Sequence, residues 1–146
     1  MSERLTAIPA DPPDQDQRGT APIDLVTLLK HCMGNVPLVT MLFDKFDRQA
    51  RADLIVINRA LRDQDAGMTA RVSHSLKGAA GALTAGGVQR AAAEIEQAAR
   101  EDRLAAAEAC LNMLAREVDR CLAYLPGARK SLAGADAAPG EMGGAS

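Results

Sequence analysis

Between Val36 and Arg62, seven apolar residues recur at steps of three or four: Leu38, Leu42, Phe46, Ala50, Leu54, Ile57 and Leu61. That spacing is the period of one helix face. Asn35 stands where a helix cap belongs, and Pro37 is tolerated in a first turn. A long amphipathic helix of this kind buries its apolar stripe most simply against other helices.

Four further segments carry the same signature. A short helix is predicted from Asp24, a plausible N-cap, through Leu25, Leu28, Leu29 and Cys32, with Gly34 ending it. A third helix runs from about Asp65 to Thr84, with Met68, Val72, Leu76, Ala79 and Leu83 as its stripe and "TAGG" as the break. A fourth covers about Val88 to Arg100, with Val88, Ala91, Ala92, Ile95 and Ala99 turned inward. A fifth covers about Leu104 to Leu125: Leu104, Leu111, Val118 and Leu125 repeat every seven residues, Ala107, Leu114 and Cys121 lie between them, and Pro126-Gly127 stops it. Aromatic residues are only 2% of the chain, which favours close-packed helices over a β-sandwich. The expected fold is all-α, an up-and-down antiparallel four-helix bundle over residues 22–126 with a short additional N-terminal helix across one end. Residues 1–21 read as a disordered N-terminal tail and residues 127–146 as a flexible C-terminal tail.

Several function classes find little support. The net charge is −2, there is no tryptophan and no run of Lys and Arg, so no nucleic-acid partner is expected. No apolar stretch has the length of a membrane span and the N-terminus lacks a signal-peptide pattern, so no membrane partner and a cytoplasmic location are expected. Cys32, Cys110 and Cys121 make no C-x-x-C pair and no disulfide framework. His31 beside Cys32 has no second spaced pair to complete a metal site.

The chemistry concentrates in "ARVSHSLKGAAGALTAGG", residues 70–87, which holds one of two histidines and four glycines. Each glycine inside a helix costs about 1 kcal/mol relative to alanine. A rotation of about 100° per residue places His74 about 200° from Val72 and Leu76, on the exposed side of the third helix. Lys77, Gly78 and Gly81 are its neighbours on that face. The glycines clear the approach to the imidazole; their phase, outward for both, speaks against close helix packing as their purpose. Lys77 favours the neutral ring and stabilises an anion attached to it. No Asp or Glu occurs between Asp65 and Glu94, while Arg71, Lys77 and Arg90 do, so an approaching anion meets positive potential. The pattern suits nucleophilic attack by His74 on phosphorus and storage of the phosphoryl group. It suits self-contained hydrolysis poorly, because no acid is placed by sequence to pair with His74 and no phosphate loop follows a strand.

"HSLKGAAGAL" closely resembles the signature of histidine-containing phosphotransfer (HPt) domains of bacterial phosphorelays. The resemblance extends over "PIDLVTLLKHCMGN", the long second helix, "ALRDQDAGMTARVSHSLKG" and "AAAEIEQAAR". It implies that His74 takes a phosphoryl group from an aspartyl phosphate on a receiver domain and passes it to another receiver aspartate. Lys77 would contact the phosphoryl oxygens and Gly78 would clear the approach, with Arg71, Ser75, Gly81 and Ala82 meeting the partner. It further implies no cofactor on this chain, Mg²⁺ on the partner receiver of a hybrid sensor kinase or response regulator, and no ATP-dependent kinase activity. A single bundle with a polar exterior is expected to be a monomer, and a carrier that must release both partners is expected to bind transiently. The alternative is a docking module that binds a receiver or sensor kinase without phosphoryl turnover. Two positions depart from the family pattern: Thr84 stands where many relatives carry glycine, and Ser73 where alanine is common.

Overall fold

A computed structural model describes the backbone of residues 21–145 and the side chains of residues 21–134. The tail expected over residues 1–21 lies, apart from Ala21, outside the described residues. The chain runs through α1 (Leu25–His31), α2 (Val36–Arg62), α3 (Ala66–Ala82), α4 (Gly86–Arg100), α5 (Leu104–Ala109) and α6 (Leu111–Ala145). No strand occurs among the described residues. Helix α3 packs against α2 and α4, and α6 packs against α4 and α2, which closes the antiparallel four-helix bundle. Among the described residues no single helix is long and apolar enough to cross a membrane.

Side-chain caps start the first three helices. The carboxylates of Asp24 and Asp65 and the amide oxygen of Asn35 accept from Thr27 N–H, Met68 N–H and Leu38 N–H. Pro37 sits in the first turn of α2, where its missing N–H costs nothing. Four turns end in the same way. Met33, Gln64, Thr84 and Asp102 take left-handed φ values of 55–58°. The N–H of the following residue then reaches back five residues to a carbonyl of the helix just ended, each time at 2.8 Å: Gly34 to Leu29, Asp65 to Ala60, Ala85 to Ala80 and Arg103 to Ala98. This is the Schellman closure, which satisfies carbonyls left open at each helix end and lets the chain turn within a few residues.

The core holds Phe43, Phe46, Leu28, Ile57, Leu76, Leu83, Ile95, Leu114 and Leu132, packed between the alanines Ala91, Ala92, Ala98 and Ala99 of α4. All five residues expected inward on α4 are buried. The stripe of α3 is rotated from the expected one. Thr69, Ala70, Ser73 and Ala80 are buried with Leu76, whereas Met68, Val72 and Ala79 are only half-buried. The small residues of α3 face inward because α4 presents alanines, and the two backbones approach closely. On α2, Val39 and Phe43 take the interior positions beside which Leu38 and Leu42 remain half-buried.

The last helix differs from expectation at both ends. It breaks at Cys110, which caps α5, so Leu104 and Leu111 do not share one continuous helix. It then continues through Pro126 and Gly127, which were expected to stop it. Pro126 is exposed, so the carbonyl that loses its donor can turn to water, and the turns beyond it are fixed by packing. Ala128 and Leu132 are buried in the core, and Arg129 pairs with Asp44 at 2.6 Å and lies over the Phe43 ring at 5.6 Å. The bundle therefore extends beyond residue 126, and α6 continues as helix through residues 127–145.

Thr84 explains itself at this point. A β-branched residue at φ 58° is strained, and glycine would relieve it. Threonine brings compensation. Its hydroxyl donates to Asp24 O at 2.9 Å and accepts from Asp24 N–H at 3.1 Å, and its own carbonyl accepts from the same N–H at 3.2 Å. These bonds pin the start of α1 to the α3–α4 turn, across the end of the bundle. Thr84→Ala keeps the strain and loses the hydroxyl, and we expect it to lose about 1–2 kcal/mol in urea unfolding. Thr84→Gly should recover about 1 kcal/mol of that through relief of the left-handed strain. An alanine variant as stable as the parent, or a glycine variant less stable than alanine, contradicts this account.

Candidate functional site

His74 stands on the middle of α3 with its side chain 63% exposed, as the helical phase predicts. Its ring is not free, however. Nδ1 lies 2.9 Å from Oε2 of Glu96, on the middle of α4. The expectation that no acid pairs with His74 is thus overturned: the α3–α4 turn brings one up from 22 residues downstream. In the neutral ring this bond places the proton on Nδ1 and leaves the lone pair on Nε2, the nitrogen open to an electrophile.

Glu96 is the centre of the arrangement. Only 8% of its side chain is exposed, and it gathers three cationic or N–H-bearing side chains. Arg100, one turn further along α4, donates from Nε at 2.9 Å and Nη2 at 2.7 Å to Oε2. The ammonium of Lys77 lies 2.7 Å from Oε1, as an ion pair rather than a well-directed hydrogen bond. Burial alone pushes the carboxyl up, but Lys77, Arg100 and His74 outweigh it and hold the group down at about 2, against an ordinary 4.5. The carboxylate is therefore ionised at every physiological pH. Lys77 was expected to reach toward the imidazole; it does so through the shared carboxylate, one third exposed at the rim.

The two glycines beside His74 serve different ends. A Cβ on Gly78 would meet nothing within 4 Å, so this position is open surface. A Cβ on Gly81 would stand 3.0 Å from the Gln89 amide, and Gly81 is half-buried. The neighbour there is the flexible end of the exposed Gln89 side chain on α4, so Gly81 borders α4 and stays partly open on the side of α3 that carries His74. Arg71, Ser75 and Ala82 are exposed on the same side of α3 as His74. Ser75 accepts a hydrogen bond at 2.9 Å from Gln49 of α2, which ties that helix to the site. Ser73 is fully buried and its hydroxyl has no partner among the described residues, so an alanine would fit this position without loss of a hydrogen bond.

The family model of the Hpt domain matches residues 41–125, a span that contains His74, Lys77, Glu96 and Arg100. The chain belongs to the Hpt domain family. Hpt domains serve histidine phosphotransfer in two-component signalling and interact with receiver domains. No curated protein and no solved structure gives a significant match. Glu96 and Arg100 are the site residues that sequence reasoning missed.

The cysteines and the remaining histidine stay outside this site. Cys121 is a buried hydrophobe whose thiol is pushed up to about 12 by burial and by Glu117. Cys32, Cys110 and Cys121 are free thiols, and no cluster that could hold a metal occurs among the described residues.

A depressed carboxyl pKa has a sign that can be measured. Its stabilising contribution is complete above the unfolded-state value near 4.5 and is lost as pH falls toward the folded value of about 2. Urea unfolding across that window should show the parent losing stability steadily. Glu96→Gln, which keeps the shape and an acceptor but not the charge, should lack this component. The gap between the two proteins then narrows with acidification; a gap independent of pH contradicts the assignment.

Proposed function

We propose that this Hpt domain is a phosphorelay carrier in which His74 accepts a phosphoryl group from a receiver aspartyl phosphate and passes it to another receiver aspartate. The observation that carries this reading is the clamp on Nδ1: an exposed ring fixed by a buried carboxylate, with Nε2 facing the approach. In the forward step Nε2 uses its lone pair to form the N–P bond while the P–O bond to the aspartate breaks, and the carboxylate leaves with its electron pair. The ring gains positive charge and keeps its proton on Nδ1, where Glu96 offsets it. Return to a second aspartate reverses these changes. Lys77, at the rim, contacts the phosphoryl oxygens, and Gly78 admits the partner's acidic centre. Arg71, Ser75 and Ala82 contribute to the docking face.

In this reading the chain contributes position and electrostatics and holds no cofactor, and Mg²⁺ belongs to the receiver. The carboxylate of Glu96 is committed to His74, Lys77 and Arg100 rather than to a water, and the stored group is handed on to the next aspartate. A transient monomeric complex in the cytoplasm fits a carrier that must release two partners.

The test separates chemistry from docking. Phosphoramidate phosphorylates histidine without a protein partner, and ³¹P NMR should show an acid-labile phosphohistidine in the parent that His74→Ala abolishes. Gly78→Leu should still load from phosphoramidate, yet exchange with a phosphorylated receiver domain at least roughly ten-fold more slowly, because the side chain holds the reacting atoms apart. Persistence of the signal in His74→Ala would assign it to His31 and contradict the carrier reading. Receiver binding with no loading at all would leave a docking module.

A further inference from the structure

The outward face of α2 carries more charge than the fold requires. At about 100° per residue, Lys45, Arg48, Ile55, Val56 and Arg59 fall within a sector of about 100°. Lys45, Arg48 and Arg59 are exposed, and no acidic side chain among the described residues pairs with them. The acids of α2 are committed elsewhere: Asp44 to Arg129, Asp47 to Arg51, and Asp53 to the amide of Gln49. Between the cations two large apolar side chains stand in water, Ile55 at 62% exposure and Val56 at 37%. Neither the core nor any ion pair explains this combination.

One edge of the strip adjoins Gln49, which meets the residue next to His74. The Gln49–Ser75 hydrogen bond sets α2 level with the residue next to His74. In the antiparallel register Arg71 then lies one turn along α3, level with Asp53, and among the described residues its guanidinium meets only the Met68 sulfur at 3.6 Å. Beside the Gln49–Ser75 contact α2 presents Lys45, Arg48 and Arg59 and α3 presents Arg71, four cations that have no acidic partner among the described residues, together with two exposed apolar side chains, in a chain whose net charge is −2. A helix face of this composition complements an acidic surface with apolar residues set into it, and charge of this kind acts chiefly on encounter rate and partner choice.

We infer that the outward face of α2, with Arg71, is a specificity surface that selects receiver domains whose surface beside the phosphorylated aspartate is acidic and partly apolar. This inference rests on the carrier reading and adds to it the chemistry of the preferred partner. The strip steers and orients the receiver, while His74, Lys77 and Glu96 handle the phosphoryl group.

The test uses the full chain and two probes: a receiver domain with an acidic surface around its aspartate pocket, and the same domain with the surface acids outside the Mg²⁺-binding pocket replaced by lysine. Arg48→Glu combined with Arg59→Glu should load from phosphoramidate like the parent, since that reaction needs no docking and reports the carrier site separately. Transfer from the acidic receiver should slow by roughly ten-fold or more at low ionic strength. The deficit should shrink at about 0.5 M salt, where charges are screened within a few ångströms. Transfer from the lysine receiver should be unchanged or faster. In the parent, NMR shifts on adding the acidic receiver should include the amides of α2 around Arg48 and Ile55. Equal transfer by parent and variant, equal losses on both receivers, or an absence of α2 shifts overturns the inference. So does binding of the parent to anionic phosphatidylserine vesicles that the double variant loses, which would assign the strip to a lipid surface. Failure of parent loading by phosphoramidate would instead defeat the carrier reading itself.

Discussion

A carboxylate with 8% of its side chain exposed is stable only if its charge is answered, and Glu96 is answered from three directions. Leaving a buried charge unpaired costs several kcal/mol, so the carboxylate constrains its partners as much as they stabilise it. Arg100 comes from the same helix and fixes the carboxylate from behind. Lys77 and His74 come from α3 and occupy successive turns above it. The orientation of the imidazole follows from this grouping: with Nδ1 committed to Glu96, the lone pair left free in the neutral ring is on Nε2.

This arrangement depends on the hairpin beneath it. Gly81 and Gln89 lie four residues on either side of Ala85, and His74 and Glu96 lie eleven on either side, so one antiparallel register sets both contacts. The register is fixed by the turn at Thr84, whose left-handed backbone closes α3 and whose hydroxyl fastens α1. The small residues along α3 and α4 then let the helices approach until a glutamate on one reaches a histidine on the other. A looser pairing would leave the carboxylate in water and the ring free to turn.

Much of the architecture was legible in the sequence because 3.6-residue periodicity survives in every long segment, and Asp24, Asn35 and Asp65 mark helix starts without ambiguity. Exposure of His74 followed from phase alone. The stripe of α3 differs from the one its bulkier residues suggest, because packing against the alanines of α4 draws Thr69, Ser73 and Ala80 inward. Pro126 and Gly127 were read as a stop because local propensity says so; tertiary contacts of Ala128, Arg129 and Leu132 override it. Glu96 escaped because pairing across a turn is a three-dimensional fact. One signal did exist: an acid one residue past Ile95, on the edge of the inward alanine stripe, is a buried charge in search of a partner.

The central claim is that Glu96 commits Nδ1 and thereby directs chemistry to Nε2 of His74. Long-range ¹H–¹⁵N NMR of the full chain, labelled with ¹⁵N-histidine and treated with phosphoramidate, reads this directly. The account predicts a phosphoryl group on Nε2 of His74 with Nδ1 still protonated. A phosphoryl group on Nδ1 of His74, or an unphosphorylated ring whose proton resides on Nε2, would contradict it.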